Sequence, residues 1–278
     1  DYAGREPGLV DYVSARRTIK ELTSDKEEYR QIIRNAVDAV RGRHGYIGYW
    51  QASRAVNGAE MVLDKAQEFL VKQQPARALP ICQCVLEEMV PLLQEADDSN
   101  GSIGDVIGQA FQGLAGCAQQ VKDAGFHKDL FGYLLKECGH KRYEGWSDWR
   151  WEFLAIAGDV VQTPQEQEKL FNRIDEIEKK HGYKDDWSRY DYECATVIKM
   201  AVIERLGTKG DAEAFLNQHL DCTPLREHAI ERALKRKDYI SAKKLAFDGL
   251  AQDKARGLPG LIIKRTRPLL DIAEPQKA

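Results

Sequence analysis

The feature that most constrains this chain is a run of apolar residues set three and four apart. Ala52, Ala55, Val56, Ala59, Val62, Leu63, Ala66, Phe69 and Leu70 all fall on this pattern. At about 3.6 residues per turn it paints one stripe along one face of a helix. A second set, Leu79, Cys82, Leu86, Met89, Val90 and Leu93, repeats the pattern. A third follows in Ile103, Val106, Ile107, Ala110, Leu114, Cys117, Ala118 and Val121. Between the second and third lies an acidic tight loop, Asp97-Asp98-Ser99-Asn100-Gly101. Residues 46–121 therefore read as three consecutive helices about an acidic turn.

The rest of the chain agrees. Strand-like alternation is almost absent and there are only 9 prolines among 278 residues, which predicts an all-α chain. Capping signals punctuate it. Ser24 with Glu27 opens a helix to about Val40, and Thr163-Pro164-Gln165-Glu166 opens another that ends near His181-Gly182. Helices are expected at about 127–138, 187–206, 211–220, 224–237, 239–251 and 259–272, joined by short loops. Short loops predict antiparallel neighbours. About ten such helices suggest stacked hairpins, a degenerate tetratricopeptide-like α-solenoid. The segment Lys237-Asp238-Tyr239-Ile240-Ser241-Ala242 echoes such a repeat, without a fixed 34-residue period. Three regions follow: 1–45, the N-terminal helices; 46–141, the central hairpins; and 142–278, the C-terminal repeat region.

Composition bounds the function classes. A hydrophobic fraction of 43% with 31% charged residues suits a soluble globular protein, and a net charge of −3 names no partner class. The six cysteines form no dense secreted-type framework, so a reducing, cytoplasmic setting is expected. No apolar run approaches the roughly 20 residues of a membrane span. The chain begins at Asp1 rather than at methionine, which leaves room for a preceding domain.

Six constellations invite chemistry. Cys82-Gln83-Cys84 and Cys138-Gly139-His140 carry zinc-ligand types, but Cys82 and Cys84 stand about 200° apart around a helix and cannot share one ion. Glu137-Cys138-Gly139-His140 and Glu178-Lys179-Lys180-His181 both read Glu-x-x-His, the pattern of di-iron bundles. Each lies at a helix end, where histidine complements the helix dipole. The acidic loop matches part of a calcium-binding loop but lacks its first acidic ligand and its bidentate glutamate; an N-cap explains the same residues. The basic, glycine-rich Arg41-Gly42-Arg43-His44-Gly45 lacks the Gly-Lys-Ser/Thr ending of a phosphate loop. Between Leu225 and Pro268, twelve Lys/Arg face five acids. Lys235, Arg236, Lys237, Lys243, Lys244, Lys264, Arg265 and Arg267 are candidate nucleic-acid contacts, against the alternative of a solvated helix face. Finally, Tyr143, Trp146, Trp149, Trp151 and Phe153 cluster in sequence. Trp146, Trp149 and Trp151 are candidate partner anchors, against the alternative of a buried joint between helical layers. No nucleophile-base pair or paired-carboxylate signature stands out, so no cofactor, metal or catalytic residue is assigned.

Tyr46-Ile47-Gly48-Tyr49, the alanine-rich helix, Ala78 to Leu93 and Asp97-Asp98-Ser99-Asn100-Gly101 resemble the helical region that follows the finger in bacterial SWIM zinc-finger proteins. The resemblance is best over 46–121 and extends to about 255. It implies a helical-repeat region belonging to a larger protein, or a relative without the finger. The finger itself is absent from this chain, so the family's binding role is not carried onto residues here. The expectation is a non-catalytic helical scaffold that binds another protein or a neighbouring domain, with a nucleic-acid-associated module as the alternative.

Overall fold

The computed structural model describes residues 26–42, 44–181 and 186–255, and of 180, 181, 186–188 and 253–255 the backbone alone. The structure is all-helical, with an isolated bridge between Ile47 and Ala96 in place of any sheet among the described residues. It divides into two compact units, Asp1–Val160 and Val161–Ala278. No helix among the described residues is long and apolar enough to cross a membrane. The helix expected at 259–272 lies outside the described residues.

The first unit holds α1 (Lys26–Asp38), α2 (Tyr49–Ala55), α3 (Asn57–Val71), α4 (Pro75–Leu92), α5 (Ser102–Gln119), α6 (Ala124–Glu137), a 3-10 turn (Lys141–Tyr143) and α7 (Ser147–Val160). Helices α3, α4 and α5 pack on one another, and α1 lies across α3 and α4. Every residue of the first stripe is buried, from Ala52 to Leu70. The stripe is nevertheless carried by two helices rather than one. The turn breaks at Val56 (φ −80°, ψ −12°), whose N–H bonds back to the Arg54 carbonyl. Just beyond it, Gly58 brings α3 against α1 so closely that a Cβ there would sit 2.6 Å from the Ile32 carbonyl oxygen. The periodicity survives because Val56 keeps right-handed helical dihedrals, so the phase shifts very little.

Close packing also explains two of the four glycines of α5, Gly104, Gly108, Gly113 and Gly116. A Cβ on Gly113 would meet Cys82 Sγ at 2.5 Å, and one on Gly116 would meet Leu70 Cδ1 at 2.9 Å. Gly108 faces nothing within 4 Å. Charge adds to the α1–α4 contact. Glu87 accepts from Lys26 and Arg30 at 2.7 Å each, and Glu88 accepts from Arg34 at 2.8 Å. Burial works against the Glu87 carboxylate, yet these two cations hold it below the usual carboxylate range.

The second unit holds α8 (Pro164–His181), α9 (Asp186–Leu206), α10 (Lys209–Gln218), α11 (Thr223–Lys235) and α12 (Tyr239–Ala255). Its starts follow the capping signals. Glu166 accepts from the Gln162 and Thr163 N–H groups while Thr163 Oγ1 accepts from Glu166 N–H. Thr208 and Asp211 form a reciprocal capping box at α10. Met200, Leu216, Cys222 and Leu225 form one core cluster, and Ile230, Ala233, Ala242 and Ala246 another between α11 and α12.

Candidate functional site

The acidic loop and the chain that follows α1 build one rigid corner. After α1 the backbone reverses through Gly45, whose φ of +77° is left-handed and suits glycine. Arg41 spans the reversal, donating to the Gly45 carbonyl at 2.6 Å and to Glu95 at 2.7 Å. Arg41 thus braces the turn at Gly45 from within rather than facing an open anion cradle. Ile47 is buried and clamps the loop with two backbone bonds, Ile47 N–H to Glu95 O at 2.9 Å and Asp97 N–H to Ile47 O at 2.8 Å.

The loop's acids cap α5. Asp98 accepts from Ile103 N–H at 2.8 Å and Gly104 N–H at 2.9 Å, while Asn100 Oδ1 accepts from Ser102 N–H at 3.1 Å. These are the otherwise unsatisfied donors of the first helical turn. Asn100 Nδ2 then reaches across to Ser53 Oγ at 3.0 Å, and Ser53 Oγ meets Ser102 Oγ at 3.0 Å. Asp97 accepts from the Ser99 hydroxyl and N–H, which hold its carboxyl below the usual range. Asp98 and Asn100, the side chains that match a calcium loop in sequence, are therefore engaged in capping.

This corner displays Tyr46, Tyr49 and Trp50. Trp50 is 82% exposed, and the Tyr49 ring stands edge-on to it at 5.0 Å and 89°. Sequence reasoning missed this group. Its signal was helical phase: Trp50 lies about 160° around the axis from Ala52, on the face away from the apolar stripe. Large aromatics on a polar face are the informative exception.

The expected tryptophan anchors divide. Trp151 is 3% exposed, and with Tyr143 and Phe153 it belongs to the core. Phe153 sits at the centre, packed on Phe111 at 4.8 Å, Tyr143 at 5.2 Å and Tyr133 at 6.0 Å. Burial removes Trp151 from any docking surface. Trp146 and Trp149 are half-buried and stack at 4.7 Å.

The basic candidates divide as well. Lys235, Arg236, Lys237 and Lys244 are exposed, and Lys243 is half-buried with its ammonium 5.8 Å over the Phe247 ring. Arg236 pairs with Glu213 at 3.1 Å. Arg232 reaches Glu204 at 3.7 Å and Glu213 at 3.5 Å. Arg226, part of the same basic excess, is 2% exposed and bonds to Gln252 at 3.0 Å. Lys264, Arg265 and Arg267 lie outside the described residues.

The metal-like motifs resolve into packing. Cys84 donates to the Lys26 carbonyl at 3.1 Å, towards α1, while Cys82 faces Gly113 of α5. Glu137 pairs with Arg142 at 3.2 Å and accepts from Tyr143 OH at 3.3 Å, and His140 Nδ1 accepts from Arg142 Nε at 3.0 Å. Glu178 pairs with Lys199, whereas the His181 side chain lies outside the described residues. Among the described residues no group of three His, Cys, Asp or Glu is arranged to hold a metal ion. No family model matches the chain, and no curated protein or solved structure is significantly similar to it.

Proposed function

We propose that this chain is a non-catalytic, all-α docking module whose partner is another protein or a neighbouring domain, seated on the Tyr46–Tyr49–Trp50 corner. One observation carries the reading: an indole left 82% in water on a corner that its own loop holds rigid. Burying one such side chain contributes roughly 1.5–3 kcal/mol, and aromatics on rigid supports dominate binding hot spots. A preformed corner loses little entropy on docking.

The bordering charges favour protein over nucleic acid at this place. Asp97, whose N–H bonds to Ile47 O, borders this corner, and Arg41 is engaged by Glu95. A phosphate backbone would meet repulsion there, whereas a protein segment with an apolar side chain flanked by basic residues would not. The resemblance to the helical region of SWIM zinc-finger proteins, and a stacked-hairpin arrangement, belong to the same proposal. A binding comparison tests it. Wild-type chain should retain a partner that Trp50→Ala loses, with unchanged circular dichroism. Salt-dependent retention on DNA or RNA, abolished by charge reversal at Lys235, Arg236 and Lys237 but untouched by Trp50→Ala, would favour the nucleic-acid reading instead.

A further inference from the structure

A cleft of about 310 Å³ lies along α1 and α4, but ion pairs close its walls; a larger one, of about 520 Å³, opens within the second unit among α8, α9 and α10. Phe215 and His219 form its aromatic wall, rings 4.4 Å apart, with Tyr192 beside them. At the opposite side Lys199 is shared by Asp175 at 2.7 Å and Glu178 at 3.2 Å.

The hydrogen-bond accounting leaves acceptors over. The single Tyr192 O–H proton goes to Asp221 at 2.8 Å, so the 3.0 Å contact between Tyr192 Oη and His219 Nδ1 requires that Nδ1 carry the proton. In the neutral ring His219 Nε2 is then an acceptor. Thr196 Oγ1 donates to the Tyr192 carbonyl at 2.7 Å and keeps its lone pairs. Asp175 and Glu178 together bring four carboxylate oxygens to one ammonium. Among the side chains lining the cleft, donors remain only as one proton of Lys199 and the solvated Lys179 ammonium. Burial raises the Glu178 carboxyl, and the neighbouring Asp175 and buried Asp191 add to the rise against Lys199.

We infer that this cleft binds an organic cation, an alkyl-ammonium or guanidinium group on an apolar stem, with its N–H groups on Glu178, Asp175 and His219 Nε2 and its stem against Phe215. A guanidinium is a donor with no acceptor of its own, which matches what the cleft has free, and it stacks on aromatic faces. The same tyrosine already carries one: Arg189 lies 5.1 Å from the Tyr192 ring centroid. The cation comes either as a free amine or as an arginine or lysine side chain of a peptide.

Calorimetric titration of the full chain distinguishes these sources. Agmatine is the free-cation probe, acetyl-arginine amide the peptide-unit probe, and acetyl-citrulline amide the neutral control. Binding of a cationic probe, with citrulline at least tenfold weaker, supports the inference; a preference between the two cations identifies the source. Glu178→Gln and Phe215→Ala should each weaken binding at least tenfold, and Lys199→Gln, which frees both carboxylates, should tighten it. Circular dichroism and the thermal midpoint monitor folding for each variant. No binding of either cation at millimolar concentration by the folded wild type, equal binding of citrulline, or retention by folded Glu178→Gln would overturn it. The test is independent of Trp50.

Discussion

Trp50 and Trp151 carry the same side chain into opposite surroundings, and their variants should separate accordingly. Trp151, only 3% exposed, should cost about 3–5 kcal/mol on replacement by alanine, whereas Trp50→Ala should stay within about 0.5 kcal/mol in urea unfolding. The thiols give a second residue-scale prediction. Burial pushes Cys84 and Cys117 up to about 12 and Cys222 to about 11, and drives Cys82 well up too. These folded values lie above the unfolded thiol range near about 8.5, so their stabilising contribution is full below that pH and falls as pH rises towards them. The urea midpoint should therefore hold from pH 7 to 8 and decline above about pH 9. At pH 8 a thiol reagent should modify half-buried Cys194 first and the other five only on unfolding. The opposed directions of Cys82 and Cys84 were legible in sequence because phase alone decides them. The exposure of Trp50 was not, because following the buried stripe draws attention from the face opposite it.

At the scale of elements, caps and crossings decide more than propensity. Asp98 takes the first two free N–H groups of α5 that its carboxylate can reach, so Asp98→Ala should destabilise by about 0.5–2 kcal/mol and Asp98→Asn by less, read from chemical denaturation. Gly58→Ala should cost about 1–3 kcal/mol, since its Cβ would strike backbone of α1 rather than a movable side chain. Most helices, the α8 capping box and the acidic turn were readable, because each is written within a few residues; α7 was not, since its aromatic cluster masks the helical period. The break at Val56 and the clamp from Ile47 to the loop were not, because residues 47 and 96 are distant in sequence and their pairing is a tertiary event. The tryptophan segment shows the same limit. Its spacing gave no way to know that Phe153 packs on Phe111 of α5, leaving only Trp146 and Trp149 partly in water.

For the whole molecule, the two compact units each carry a core of their own. Residues 142–160 pack with the first unit through Phe153, Tyr143 and Trp151. All-α character follows from the periodicity over the full chain, while the docking role rests on a surface that periodicity does not describe. The central claim is that the rigid corner bearing Trp50 seats a protein segment. Its most direct measurement places a photo-crosslinking amino acid at position 50 in living cells, with a second copy of the experiment at exposed Asp129. A discrete protein adduct at position 50, absent at 129 and lost when Tyr46 and Tyr49 are changed to alanine, is the result this structure predicts. Equal labelling at both positions, or an adduct at 50 indifferent to both tyrosines, would contradict it.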